Sequence, residues 1–114
     1  MASIADVESF LRDFKLKMNI WNVVFSHRQK NTQTLADLEI TPNYRKKVLE
    51  ELESTDYSEG PLEDKMINGA DMWVFGKSIK GREVYIKITI GNPNLSVVCI
   101  SFHLAEHSMN YPLK

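Results

Sequence analysis

The sequence predicts an α+β fold in which N-terminal helices pack on one face of a small antiparallel β-sheet of three to four strands. Two observations carry this prediction. Apolar residues recur at helical spacing in the first half of the chain, whereas the second half alternates apolar and polar residues as strands do. Helices that come first and strands that follow are typical of an α+β layer fold, which leaves the other sheet face available for a ligand.

Three helices are predicted in the first half of the chain. Ser3 and Asp6 form a capping-box pattern ahead of helical apolar spacing, which predicts the first helix over residues 4–18. An asparagine or threonine cap predicts a second, shorter helix over residues 31–39. The Thr-Pro pair that opens residues 41–53 predicts the third helix, because threonine suits the N-cap and proline suits the first helical position.

The strands are predicted from alternation and turn residues. Residues 20–25 are rich in strand formers and predict a short edge strand, whereas the acidic, turn-rich segment 54–71 predicts a loop. A further strand is predicted over residues 72–79. The clearest feature is a β-hairpin over residues 83–104, in which two alternating runs flank the turn Gly91-Asn92-Pro93-Asn94.

The hairpin is expected to have one apolar and one polar face. Side chains alternate along a strand, so the register that unites the apolar residues places a polar set on the other face. That set is Tyr85, Lys87, Ser101 and His103. This polar face is the predicted working surface. The apolar face is expected to hold Val84, Ile86, Ile88, Ile90, Val98, Ile100, Phe102 and Leu104.

Length and composition predict one domain over residues 1–114. The formal charge is -1, but residues 1–71 carry 9 basic and 13 acidic residues, whereas residues 72–114 carry 5 and 2. A basic sheet in a protein of nearly neutral overall charge favours a local phosphate-binding site over a long electrostatic track. The single Cys99 allows no internal disulfide, and the sequence shows no signal peptide or membrane span. We therefore expect a cytoplasmic protein that does not engage a membrane.

Two segments of the hairpin carry a resemblance to a known family. Residues 83–88, Glu-Val-Tyr-Ile-Lys-Ile, and the closing run Ile100-Ser101-Phe102-His103 resemble the MqsR family of bacterial toxins, which belongs to the broader RelE-like ribonucleases. The similarity covers roughly residues 35–104. It includes, in the family's order, Leu38-Glu39-Ile40, Val48 to Leu52, Thr55-Asp56-Tyr57 and Trp73-Val74-Phe75.

The resemblance implies a RelE-like fold and the toxin of a type II toxin–antitoxin pair. Such a toxin cuts mRNA, on or off the ribosome, without a metal or other cofactor, and a cognate antitoxin protein neutralises it. In the family's reaction the ribose 2′-OH attacks the adjacent phosphate, which leaves a cyclic phosphate and a free 5′-OH. This chemistry requires a base, cations that stabilise the charged phosphorane and an acid for the leaving oxygen.

The polar face supplies candidates for these catalytic roles. Lys87 is a point charge able to bind the phosphate, Tyr85 matches a tyrosine associated with the family's active site, and His103 stands where the family has a catalytic lysine. A histidine donates or accepts a proton near neutral pH, so we expect acid or base catalysis from His103. Supporting contacts to RNA are predicted from Lys77, Arg82, Trp73 and Arg28.

Two positions depart from the family's pattern. The family's lysine after an Asp-Phe-Tyr step has no counterpart after Asp56-Tyr57, and its glutamine beside the tryptophan is not matched around Trp73. Either Lys77, Arg82 or a residue of the acidic loop replaces them, or the activity has changed.

Two other functions stay open. His103, Glu106 and His107 satisfy the H-x-x-E-H pattern of inverted zinc peptidases, but that chemistry needs both histidines on one helix face, and this motif begins at the end of a predicted strand. The other alternative is a non-catalytic module on the same fold that binds a protein or RNA through aromatic residues. The tail 108–114 is expected to pack back on the sheet, where it would shape the site or block it.

Overall fold

The computed structural model describes residues 1–63 and 69–114. The helices of this part of the chain are α1 (Ile4–Trp21), α2 (Gln29–Leu38) and α3 (Tyr44–Glu50), followed by one 3-10 turn at Ser54–Asp56. The strands are β1 (Val23–Phe25), β2 (Tyr57–Leu62), β3 (Met72–Ile79), β4 (Arg82–Thr89) and β5 (Val97–Leu104). They form one sheet with the order β1-β5-β4-β3-β2.

The α+β prediction is confirmed, but the sheet has five strands and is mixed, so the predicted three to four antiparallel strands are wrong. β1 pairs in parallel with β5, whereas the other neighbouring strands are antiparallel. β2 lies within the segment predicted as a loop, where Gly60 and Pro61 suggest a turn. It is an edge strand whose pairing with β3 shifts register twice, and an edge strand tolerates proline because its outer N–H groups need no strand partner.

α1 forms as predicted and continues beyond residue 18 to Trp21. The Ser3 side chain accepts a hydrogen bond from Asp6 N–H, and the Asp6 carboxylate accepts one from Ser3 N–H, which is the predicted capping box. Asn22 caps the C-terminal end of the helix, and its φ of 71° leads the chain directly into β1. The buried face of α1 holds the apolar residues that predict it: Val7, Phe10, Leu11, Phe14 and Met18.

The two shorter helices occupy the predicted segments with shifted ends. α2 begins at Gln29, so Arg28 becomes the residue that precedes the helix. α3 begins only at Tyr44, because Thr41 Oγ1 accepts a hydrogen bond from Tyr44 N–H at 3.3 Å and the Thr-Pro pair forms the turn before the helix. None of the described helices is long and apolar enough to cross a membrane.

The hydrophobic core lies between the helices and one face of the sheet. Phe10 of α1 stacks on Trp73 of β3 with the ring centroids 4.6 Å apart, and Tyr57 of β2 meets Phe75 edge-on at 6.2 Å. These contacts cover the face of the sheet that carries Phe75 and its cross-strand partner Ile86, both of which are fully buried. We call the opposite face the open face, which carries Val74, Tyr85, Lys87, Ser101 and His103.

A β-bulge in β5 reverses the predicted faces of half the strand. Ser101 and Cys99 pair with consecutive residues of β4, so Ile100 between them is an extra residue. The prediction that Val98 and Ile100 face the core is therefore wrong, because both line a cleft on the open face. Cys99, which strict alternation with Val98 and Ile100 would place on the polar face, is 1% exposed and belongs to the core. From Ser101 onward the predicted register holds.

α2 takes the place of a strand along the outer edge of β5. Where β1 ends, the Asn31 side chain accepts a hydrogen bond from Phe102 N–H at 3.0 Å and donates one to Ile100 O at 3.1 Å. Thr34 Oγ1 then accepts a hydrogen bond from Leu104 N–H at 3.1 Å. Asn31 and Thr34 are 1% and 2% exposed, so they satisfy backbone groups of the bulged strand away from water.

Burial raises the pKa of the Cys99 thiol from 9.0 to about 12. Above pH 9 the thiol of the unfolded chain loses its proton while that of the folded protein keeps it, so the free energy of unfolding falls as the pH rises from about 9 to about 12. Between pH 9 and pH 11 we expect the wild type to lose about 2 kcal/mol more stability than Cys99→Ala, measured by urea denaturation. Equal pH slopes for the two proteins would contradict this expectation.

Candidate active site

A cleft of about 430 Å³ on the open face, the open-face cleft, collects the three predicted catalytic residues. Tyr85 and Lys87 reach it from β4, His103 from β5 and Arg28 from the loop before α2. Alternation along the two strands explains why these side chains share a face. The remaining lining residues are Ser58, Glu59, Val74, Ser101, Glu106, His107, Ser108, Met109 and Asn110.

Tyr85 and His103 are direct cross-strand partners whose rings stack. The ring centroids lie 5.2 Å apart with an interplanar angle of 14°, so each ring restricts the orientation of the other. Burial raises the pKa of the Tyr85 hydroxyl, and the negative charge of Glu59 raises it further. Tyr85 is therefore a neutral hydrogen-bond donor at physiological pH.

The hydrogen bond of one His103 ring nitrogen defines the state of the other. Nδ1 lies 2.9 Å from the carbonyl oxygen of Leu104. A carbonyl oxygen only accepts hydrogen bonds, so Nδ1 carries the proton in this contact. In the neutral ring Nε2 then keeps its lone pair, which is the state that a general base needs.

The electrostatics of the open-face cleft favour an anionic ligand. Its described lining includes the cations Lys87 and Arg28 and the carboxylates Glu59 and Glu106. Glu106 forms an ion pair with Lys30 of α2 at 2.8 Å, and its hydrogen bond to Lys30 holds the pKa of this carboxyl below its ordinary value. Because Lys30 pairs with Glu106, Glu59 is the remaining carboxylate among the described residues that line the cleft, beside the two cations.

Three residues predicted to contact RNA lie outside the open-face cleft. Trp73 packs on Phe10 in the core, and Lys77, on the same side of β3, forms an ion pair with Asp56 at 3.0 Å. This side of β3 is the one that the helices cover, so neither residue reaches the open face. Arg82 is exposed beside the β3–β4 turn and lines a separate cleft at the end of the sheet.

The C-terminal tail, residues 105–114, forms one wall of the open-face cleft. The Glu83 carboxylate holds it by accepting hydrogen bonds from Met109 N–H at 3.2 Å and from Tyr111 OH at 2.7 Å. Burial raises the pKa of the Tyr111 hydroxyl, and its bond to Glu83 raises it further, so this donor stays protonated. The tail packs back on the sheet as predicted and shapes the cleft.

Gly76 of β3 allows the tail to approach the sheet. A Cβ atom at this position would overlap the Tyr111 hydroxyl and would lie 2.9 Å from Met109 Sδ. Neither Gly76 nor Glu83 is among the predicted site residues. A glycine inside a predicted strand often marks the close approach of another segment, which is the signal available for Gly76, whereas no local pattern distinguishes Glu83.

Replacing Gly76 with alanine is expected to displace the tail. Overpacking of this kind costs about 1–3 kcal/mol, so Gly76→Ala should lower the free energy of unfolding by that amount in urea denaturation. Ser78→Ala, an exposed position on the same side of β3, is the matched control. Gly76→Ala should cost less stability in a Tyr111→Ala protein than in the wild type, because only the flexible Met109 side chain then has to move. An additive loss in the double variant would contradict the contact.

His103, Glu106 and His107 do not adopt the arrangement that the H-x-x-E-H pattern requires. His103 belongs to β5, whereas the other two lie in the irregular tail, so the two histidines share no helix face. Within residues 1–63 and 69–114, no group of three or more His, Cys, Asp or Glu side chains is placed to hold a metal ion. Glu106 is instead paired with Lys30.

Comparisons with known proteins add no assignment to this geometry. No protein-family model, curated protein or solved structure matches the chain. The function therefore has to be inferred from the open-face cleft itself, with its stacked Tyr85 and His103 rings, its cations Lys87 and Arg28 and its tail wall.

Proposed function

We propose that this chain is a metal-independent endoribonuclease and the toxin of a type II toxin–antitoxin pair, with the open-face cleft as its active site. The observation that carries the proposal is that Tyr85, Lys87 and His103, from neighbouring strands, line one cleft together with Arg28. The resemblance of residues 83–88 and 100–103 to the MqsR family supports the same chemistry. On that resemblance we assign the fold to the RelE-like class and the site of action to the cytoplasm.

The proposed reaction uses the ribose 2′-OH of the RNA as the nucleophile. His103 Nε2 accepts the proton of this hydroxyl, and the 2′ oxygen forms a bond to the adjacent phosphorus. The bond between phosphorus and the 5′ oxygen breaks, and the leaving oxygen takes a proton from solvent. Lys87 and Arg28 stabilise the charge on the nonbridging oxygens, to which Tyr85 OH donates a hydrogen bond. The products are a 2′,3′-cyclic phosphate and a 5′-OH.

The proposal is tested by incubating the purified protein with single-stranded RNA in excess EDTA. We expect cleavage to persist in the chelator, because the open-face cleft supplies its cations as side chains. Replacing the substrate with a 2′-O-methyl RNA of the same sequence should abolish cleavage, since the nucleophile is blocked. Loss of cleavage on chelation would contradict the proposal, and binding of RNA without cleavage would favour a non-catalytic module.

The edge strand β1 offers a surface for the cognate antitoxin. β1 is the terminal strand of the sheet beside β5. Exposed apolar side chains lie on it and on the chain segments next to it: Ile20, Trp21, Val24 and Leu95. A partner strand added to this edge would pair with the β1 backbone while its side chains cover the apolar residues. We propose that the antitoxin binds here.

A charge on β1 is expected to weaken antitoxin binding. Val24 is 53% exposed, and Val24→Glu would place a carboxylate in the centre of the proposed contact, where burial without a partner is costly. We expect a loss of affinity of about tenfold or more for the protein encoded beside this gene, measured by isothermal titration calorimetry. Ile4→Glu, at the far end of α1, is the matched control. An unchanged affinity for Val24→Glu would contradict the assignment.

A further inference from the structure

A second cleft, of about 490 Å³, continues the open face beyond Lys87, and we call it the apolar cleft. Apolar side chains from two strands line it: Met72 of β3 and Val98 and Ile100 of β5. Arg28 and Lys87 line both this cleft and the open-face cleft. The two clefts are therefore joined at a pair of cations.

The bulge in β5 creates the apolar cleft. Without the extra residue, strict alternation would turn Val98 toward the core together with Phe102. The bulge instead places Val98 and Ile100 on the open face, where both are half-buried. Apolar side chains on the face opposite the helices add nothing to the core between helices and sheet. Their placement beside two cations points to a ligand that is partly apolar and partly anionic.

Hydrogen bonds hold the rim of the apolar cleft in place. Lys17 Nζ on α1 donates to Ile90 O and Asn92 O, at 2.6 and 2.7 Å, which fixes the turn between β4 and β5. Thr89 Oγ1 donates a hydrogen bond to Ala70 O at 3.2 Å and so ties the segment before β3 to β4. The cleft is thus formed by the fold itself, as ligand sites usually are.

We propose that the apolar cleft binds a nucleobase of the RNA next to the scissile phosphate. This inference rests on the proposed function. The phosphate would lie between Arg28 and Lys87, with one nucleoside in the open-face cleft and the neighbouring base in the apolar cleft. The charges fit this ligand, because the described residues that line the apolar cleft include both cations and no carboxylate.

The lining of the apolar cleft matches the two surfaces of a base. A nucleobase packs its face against apolar or aromatic side chains and forms hydrogen bonds through its edge. Met72, Val98 and Ile100 provide the apolar contact, while Ser26 and Asn92 provide a hydroxyl and an amide. The chain of an acyl ligand would leave the hydroxyl and the amide without a hydrogen-bond partner.

The test compares a 2′-O-methyl dinucleotide, which cannot be cleaved, with a nucleoside 3′-phosphate, which fills only the open-face cleft and the junction. We expect the wild type to bind the dinucleotide about tenfold more tightly than the mononucleotide, measured by calorimetry. Ile100→Gln should reduce the affinity for the dinucleotide to that for the mononucleotide, whose own binding should change less than about twofold. Leu16→Gln, at an exposed apolar position on α1, is the matched control and should change neither affinity.

Met72→Gln, on the other side of the apolar cleft, gives a second variant in case Ile100→Gln disturbs the bulge. Equal affinity of the wild type for the two ligands, or an unchanged preference in a folded Ile100→Gln or Met72→Gln protein, would overturn the subsite. If the wild type cleaves RNA but shows no preference for the dinucleotide, the subsite alone is wrong. If it neither binds these nucleotides nor cleaves RNA, the proposed function fails with it.

Discussion

RNA cleavage by the His103→Ala protein is expected to be at least about 100-fold slower than cleavage by the wild type, since general acid–base catalysis contributes about that much or more. The bond from Nδ1 to Leu104 O, 2.9 Å long, leaves the lone pair of the neutral ring on Nε2. The alanine variant lacks this base but keeps Lys87 and Arg28, so the substrate phosphate can still bind the two cations. Single-turnover cleavage with protein in excess measures the chemical step.

His27→Ala is the matched control for the His103 variant. His27 is an exposed histidine in the loop before α2, so its removal changes the histidine content without touching the stacked rings. Urea denaturation of both variants separates a catalytic loss from unfolding, because His103 also stacks on Tyr85. Near wild-type cleavage by His103→Ala, or an equal loss in His27→Ala, would contradict the role of His103 as base.

Asn31→Ala is expected to lower the free energy of unfolding by about 3 kcal/mol. The Asn31 amide donates to Ser26 O and Ile100 O, and its oxygen accepts from Phe102 N–H. Alanine leaves these backbone groups without their partner, and each buried group left unsatisfied costs about 1–3 kcal/mol. Urea denaturation measures the change. The bulge should loosen as well, so the apolar cleft depends on this side chain in α2.

Gln33→Ala on the same helix is the control for Asn31→Ala. Gln33 is exposed and donates a hydrogen bond to Asp37 on the helix surface at 3.0 Å, so its removal should change stability by less than about 0.5 kcal/mol. A loss of stability in Asn31→Ala no larger than that in Gln33→Ala would contradict the role of Asn31 as the hydrogen-bond partner of the outer edge of β5.

The helix spacing and the hairpin could be predicted because their signals are local. The apolar face of α1 follows from residues three and four apart, and the capping box from Ser3 and Asp6. The bulge could not be predicted, because Asn31 stabilises it from a helix that is distant in sequence. β2 could not be predicted for a different reason. Gly60 and Pro61 fit an irregular edge strand as well as they fit a turn.

The grouping of Tyr85, Lys87 and His103 could be predicted because the β5 bulge lies between these residues and the β4–β5 turn, so it does not change their faces. Pairing from Ser101 to Leu104 follows simple alternation, so the predicted face is correct there. The position of Arg28 beside them depends on how α2 docks against β5, which no local pattern encodes. The same limit applies to Glu83, whose role depends on the path of the tail.

The central claim is that the 2′-OH of the substrate attacks the phosphate in the open-face cleft. Its most direct test is the identity of the ends formed from an oligodeoxynucleotide that carries a single ribonucleotide, treated with wild-type protein in excess EDTA and analysed by mass spectrometry. Attack by the 2′-OH predicts one cut, directly 3′ of the ribonucleotide, with a 2′,3′-cyclic phosphate on one fragment and a 5′-OH on the other. Fragments with a 3′-OH and a 5′-phosphate, or cuts between deoxynucleotides, would contradict it.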